Sequence, residues 1–236
     1  MITTGWVSYP ISLATTKTEI VDVISGETCA NLADFPLHNY GAVGGNLHGT
    51  PFVCGGRDCS DTYYQKCYKY TISGWQEFAS MKEKRWDAAG NMFQNKFYVF
   101  GGFGGSIKSQ TSEIISIGGG VEYGPDLPTA VYLHAFTSIN STVSILSGGY
   151  ASVTNYSPLT WYFNHESGAF SSGPSLLEGR WGHGSATCVD KVTKAKIPIV
   201  TGGYDGAYLD STELLINGEW QSGTIQCKKA TCFDLL

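Results

Sequence analysis

Phe52-Val53-Cys54-Gly55-Gly56, Tyr98-Val99-Phe100-Gly101-Gly102, Ile145-Leu146-Ser147-Gly148-Gly149 and Ile199-Val200-Thr201-Gly202-Gly203 are four versions of one phrase, a short apolar run closed by a diglycine. Ile2-Thr3-Thr4-Gly5-Trp6 is a degraded fifth copy. The first glycines of the pairs stand 101−55 = 46, 148−101 = 47 and 202−148 = 54 residues apart. A fixed period of this size is the mark of one supersecondary unit per repeat. Glycine pairs stop strands because they accept positive φ and allow close backbone approach.

Each diglycine anchors a unit that reads the same way. In the second, Arg85 to Phe93 is an extended stretch and Gln94-Asn95-Lys96 a polar turn. Phe97 to Phe100 is an apolar strand, and after the loop Phe103 to Gln110 come Ser112–Ile117 and Val121–Tyr123 as third and fourth strands. Sixteen residues before the diglycines stand Asn39, Arg85 and Tyr132, followed by Tyr40, Trp86 and Leu133. In the last unit Arg180-Trp181 lies 22 before Gly202, the excess falling in a charged turn at 190–196. The fourth strands carry Trp75, Tyr123, Phe170 and Trp220, which are expected to fill the wedges between units. Helical periodicity is nowhere sustained. Four short antiparallel strands per unit cannot bury their apolar faces alone, and radial stacking as propeller blades solves this.

These features resemble kelch repeats: the diglycine after an apolar strand, the aromatic third strand, the later Trp or its equivalent, and Arg85 and Arg180 opening their units. The resemblance spans residues 1–224, in units of about 1–34, 35–80, 81–127, 128–175 and 176–224, with 225–236 as a tail. It implies an all-β, kelch-type propeller of four-stranded antiparallel blades, with about five repeats. The first unit lacks its first strand, so the chain reads as most of a ring, and as part of a six- or seven-bladed one if blades are missing. In this family, loops after the diglycines and around the arginines meet protein partners. Carried over by position, the partner-binding candidates are Arg57, Asp58, Arg85, Phe103, Tyr150, Arg180, Tyr204 and Asp205. Trp86 and Trp181 are read first as wedge fillers, although recognition hot spots favour Trp, Tyr and Arg.

Composition bounds the function. The 236 residues are 42% hydrophobic and 15% charged, with 30 glycines, as in a folded chain rich in tight turns. A net charge of −5 gives no electrostatic reason to expect nucleic acid, and no apolar run approaches the length of a membrane-spanning helix. His38, His48, His134, His165 and His183 show no metal-ligand spacing, so neither metal nor cofactor is expected. Gly101 to Gly105 precedes no helix and lacks phosphate-cradling geometry. The reading is a non-enzymatic scaffold that recognises a protein. A galactose oxidase-like or sugar epimerase propeller is the enzymatic alternative, and an adaptor of a ubiquitin ligase would need further domains.

Seven cysteines leave the compartment open between extracellular and cytoplasmic. Cys59 with Cys67 and Cys227 with Cys232 are spaced for local disulfides, the alternative being buried reduced thiols. Asn140-Ser141-Thr142 and Asn155-Tyr156-Ser157 are glycosylation sequons, the second weakened by Pro158.

Overall fold

The computed structural model describes residues 2–3, 6–7, 13–21, 28–29, 32–151, 156–190 and 193–223. These residues form strands, turns and loops with no helix. Five short N-terminal strands come first: β1 (Ile2–Thr3), β2 (Trp6–Val7), β3 (Leu13–Ala14), β4 (Thr18–Val21) and β5 (Thr28–Cys29). The first blade holds β6 (Val43–Leu47), β7 (Thr50–Cys54), β8 (Lys66–Thr71) and β9 (Gly74–Ser80), and the second β10 (Ala89–Phe93), β11 (Lys96–Phe100), β12 (Ser112–Ser116) and β13 (Val121–Tyr123). The third holds β14 (Ala135–Ser138), β15 (Val143–Ser147), β16 (Thr160–Asn164) and β17 (Ala169–Ser172), and the fourth β18 (Gly184–Val189), β19 (Lys196–Thr201), β20 (Thr212–Ile216) and β21 (Glu219–Ser222).

Each blade is an antiparallel meander in sequence order, and the first strands β6, β10, β14 and β18 neighbour one another in succession. The result is a four-bladed, propeller-like stack. The N-terminal unit adds a three-stranded sheet in the order β1-β4-β5. The second strand of each blade runs apolar on both faces because both are covered: Phe97, Tyr98, Val99 and Phe100 of β11 are all buried. Phe97 and Val99 join Phe52 and Leu47 of the first blade, while Tyr98 and Phe100 join Phe136 and Phe163 of the third. A third cluster, with Ile145, Leu176, Val200, Leu215 and Trp220, seals the third blade to the fourth.

The diglycines are the seams between blades. Gly101 N donates to Thr111 O of its own blade (3.1 Å), and Gly102 N donates to Val131 O at the start of the next (2.9 Å). Gly56 N donates likewise to Arg85 O (2.7 Å), and Gly149 N to Arg180 O (2.8 Å). Both glycines of each pair have positive φ, between 62° and 100°. A Cβ on Gly55, Gly101 or Gly148 would stand 2.3–2.5 Å from the next unit's carbonyl oxygen. At Gly202 the nearest atom would be Leu209 O at 3.7 Å. A second line of bonds runs beside the first: Asp87 N to Gly41 O, Leu133 N to Asp87 O and Gly182 N to Leu133 O, each 2.8–2.9 Å. All four residues are left-handed.

Two positions of the repeat differ from the residue count. Val131, not Tyr132, occupies the Arg85 place, and Tyr132 rather than Leu133 matches Trp86, because the β14–β15 hairpin is one residue longer than β10–β11. On the fourth strands, Trp75, Phe170 and Trp220 face Tyr70, Phe163 and Leu215 across the ladder. They pack toward the preceding unit, as when Phe170 meets Phe100. In the second blade the corresponding partner of Ile115 is Val121. Tyr123 is 54% exposed and fills no wedge, since the turn at Gly118-Gly119-Gly120 shifts the register.

The cysteine expectation is also corrected. Cys54 pairs with Cys67, which stands directly opposite on the neighbouring strand with Cα atoms 4.0 Å apart, both fully buried. Cys59 lies outside this bond on an exposed loop, out of the ladder. Cys227, Cys232 and the tail 225–236 lie outside the described residues.

A left-handed alanine costs about 1–2 kcal/mol. Gly202→Ala is therefore expected to lose about that much in urea unfolding, and Gly101→Ala and Gly148→Ala distinctly more, because they also push the next blade's carbonyl away. Equal losses at all three sites would remove the seam interpretation.

Candidate functional site

At the end of each blade where the diglycine lies, three residues form a short row of backbone bridges. The rows are Tyr40–Arg57–Tyr63, Trp86–Phe103–Lys108, Tyr132–Tyr150–Tyr156 and Trp181–Tyr204–Tyr208. Ten of these twelve residues are aromatic and two are cationic. The bridges form because the residue after each diglycine continues in line toward the residue that opens the blade. Trp86 and Phe103, for example, exchange both backbone bonds, at 3.0 and 2.9 Å.

The side chains join across blades. The Arg57 guanidinium lies over the rings of Trp86 (4.0 Å), Tyr40 (5.0 Å) and Tyr63 (5.7 Å), and donates to Asp61 Oδ1 (2.6 Å) and the Tyr63 hydroxyl (3.1 Å). Trp86 meets Tyr132 at 5.7 Å, Phe103 meets Tyr132 at 5.6 Å, and Tyr132 meets Tyr150 at 5.4 Å. Lys108 Nζ sits 4.6 Å from the Tyr150 ring and donates to Ala151 O (3.0 Å). On the fourth blade Tyr204 touches Trp181, Tyr156 and Tyr208 at 5.0–5.8 Å, with Tyr208 92% exposed. These spacings are those of edge and offset ring pairs, each adding about 0.5–1.5 kcal/mol to burial. Among the described residues, Trp86 Nε1, Trp181 Nε1 and Arg57 Nε have no acceptor. Asp87 lies beside this track, and burial raises its carboxyl to about 7 against the opposing pull of Arg57.

Arg57, Phe103, Tyr150 and Tyr204 of the expected contacts thus lie together on one track, and Asp205 sits exposed beside it. Asp58 does another job. Its Oδ1 accepts from Ser60 N and Thr62 N (both 2.8 Å) and its Oδ2 from the Tyr64 hydroxyl (3.1 Å), shaping the loop. Burial raises its pKa, but these hydrogen bonds outweigh it and leave the carboxyl below its usual value. Trp86 and Trp181 are partly exposed members of the track and not wedge fillers between sheets.

Arg85 and Arg180 do not reach a partner, since both side chains are 0% exposed. Arg85 donates from Nε to Glu113 Oε1 (3.0 Å), from Nη1 to Gly101 O (2.6 Å) and from Nη2 to Thr111 Oγ1 (2.6 Å). Glu113 in turn accepts from Lys82 N and Glu83 N. Arg180 repeats the arrangement with Glu213 (2.7 Å) and Gly202 O (2.8 Å), and Glu213 accepts from Leu177 N and Glu178 N. In the first blade Asn39 Nδ2 keeps only the bond to the diglycine, Gly55 O at 2.8 Å. By strand register the glutamate position there is Tyr68, and in the third blade, where Val131 replaces the arginine, it is Trp161. The buried pair is therefore kept or lost as a unit, as the cost of one unpaired buried charge requires.

The sequence reading passed over Tyr63, Lys108, Tyr132, Tyr156, Tyr208 and Asp87. The spacing of the four tyrosines and of Lys108 from the diglycine varies with loop length, so only the bridges reveal them, and Asp87 is marked out only by its burial. Among the described residues no three His, Cys, Asp or Glu side chains converge as a metal site, and no helix is long and apolar enough to cross a membrane. Comparison with family models gave no match, and comparison with curated proteins gave no significant one.

Two predictions follow from the buried groups. Arg85→Val is expected to cost about 3–5 kcal/mol by stranding Glu113, and adding Glu113→Trp, the third blade's combination, to restore part of it in denaturant titration. Burial holds His134 and His183 down to about 3, helped by His183 and Arg180 respectively, and His165 to about 4. Their folded values lie below the unfolded 6.5, so the unfolded chain binds more protons. Stability is then full above about 6.5 and falls as pH drops toward 4, by up to about 1.4 kcal/mol per pH unit for each histidine that stays neutral. Thermal melts at pH 7, 6 and 5 should descend in that order.

Proposed function

We propose that this chain is a kelch-type propeller without enzymatic activity, and that it binds a partner protein through the diglycine end of its blades. The observation that carries this reading is the aromatic and cationic track linking the rows of successive blades. Tyr, Trp and Arg dominate recognition hot spots: the rings combine large contact area with few rotamers and a polar handle, and arginine adds a planar cation that stacks on them. The expectation of Arg57, Phe103, Tyr150 and Tyr204 as contacts is kept, Tyr63, Tyr132 and Trp86 join them, and Arg85 and Arg180 are assigned to the frame.

The test is site-specific photocrosslinking in the protein's own cells. Photoreactive residues replacing Tyr208 or Ile107, both exposed at the diglycine end, are expected to give a shared adduct. One replacing Ile72, exposed in the β8–β9 turn at the opposite end, is expected to give none. Trp86→Ala should reduce the adduct at least tenfold, the loss of about 1.4 kcal/mol or more expected of a hot spot. An adduct from Ile72 alone, or one indifferent to Trp86→Ala, would reject this face as the binding surface.

A further inference from the structure

The buried disulfide and one exposed turn bear on a different question, namely where this chain matures and what it carries. The Cys54–Cys67 bond lies in the packed core shared by the first and second blades, among Val43, Phe52, Met81 and Val99. A core disulfide joining two adjacent strands of one sheet belongs to chains that fold where thiols are oxidised. In such a compartment an accessible Asn-x-Ser/Thr is a substrate for N-glycosylation.

The structure separates the two sequons. Asn140 is exposed at the tip of the β14–β15 hairpin. Its Oδ1 accepts from Thr142 N (2.9 Å), Val143 N (2.8 Å) and the Thr142 hydroxyl (3.2 Å). The amide oxygen is thus held by the hydroxyl that completes the sequon, while the Nδ2 group makes no hydrogen bond among the described residues. In the other sequon Ser157 is 4% exposed, its N–H is committed to Gly149 O (3.1 Å) and its hydroxyl accepts from Leu159 N (3.2 Å). Asn155 itself lies outside the described residues. Position also separates the Asn140 turn from the aromatic track. The turn lies at one end of β15 and Gly148-Gly149 at the other, so five residues of strand, roughly 16 Å at about 3.3 Å each, stand between them. A branched sugar there extends from the turn end and leaves the diglycine end open.

We propose that Asn140 carries an N-linked glycan and that the chain matures in an oxidising secretory compartment. In the transfer, Asn140 Nδ2 forms a bond to C1 of a sugar held on a lipid diphosphate. The bond from C1 to the diphosphate oxygen breaks, its electron pair leaves with the lipid diphosphate, and the amide proton passes to a base of the transferase. No electron transfer is involved.

The test uses protein isolated from its own source. Enzymatic deglycosylation in heavy-oxygen water is expected to leave labelled aspartate at position 140, and the non-reduced digest to contain the Cys54–Cys67 peptide pair. Asn140→Gln and Thr142→Ala, made in the full chain and expressed in the same host, should each abolish the glycan-dependent shift in mass. A matching circular dichroism spectrum for Asn140→Gln shows that folding is intact. An unlabelled Asn140 peptide overturns the proposal, whether Cys54 and Cys67 are found oxidised or reduced, and so does a glycan confined to Asn155.

Discussion

The structure depends on one small constraint, the peptide unit shared by two left-handed glycines at the end of each second strand. In the second blade every polar backbone group of that pair is satisfied, each by a different part of the molecule. Gly101 N reaches the third strand, Gly101 O takes the Arg85 guanidinium, Gly102 N reaches the next blade and Gly102 O accepts from Ser109 N in the returning loop. A side chain on the first glycine would occupy the space the next blade's carbonyl needs. Four directions of the fold thus meet in two residues, and only glycine allows the approach.

From this node the buried ion pairs acquire their meaning. The arginine fills the space beneath the diglycine and ties it to the glutamate of the third strand, which in turn holds two backbone amides of the linker between blades. The pair does little as a source of net stability, since desolvating two charges offsets most of their attraction. Its effect is geometric, fixing how a linker enters a blade. The first and third blades show that packing can substitute, with Asn39 and Tyr68 in one and Val131 and Trp161 in the other. Where the charges are absent, aromatic bulk stands in their place.

The same node positions the candidate site. The residue after each diglycine leaves the seam in a fixed direction and pairs with the residue that opens the blade. Side chains from four successive blades are therefore presented together on one end of the molecule. The frame repeats, while the loops that complete each row differ in length, which lets the third residue of the row vary between Tyr63, Lys108, Tyr156 and Tyr208. A repeated frame with unlike loops is how such architectures separate stability from recognition.

Much of this was legible in the chain. The diglycine period, the apolar strands before it, the polar hairpin turns and the all-β class follow from local backbone demands, which a sequence states directly. Arg57, Phe103, Tyr150 and Tyr204 could be located because they sit at a constant distance from a glycine. Counting failed where a turn changed length: one extra residue in the β14–β15 hairpin exchanged the roles of Val131 and Tyr132, and a triple-glycine turn left Tyr123 exposed and gave its place to Val121. It failed again where the partner was remote in sequence. Cys67 binds Cys54 and not Cys59 because strand pairing, not proximity along the chain, brings the sulfurs together. Arg85 and Arg180 are closed inside because their carboxylates arrive from a strand some 30 residues on. The sequence alone determined the repeating unit, since its signals are the short-range conformational needs of glycine and of alternating strands. Only the tertiary structure decided which aromatic residues fill a wedge and which line an open face, because that choice is made by the register of strands that meet across the sheet.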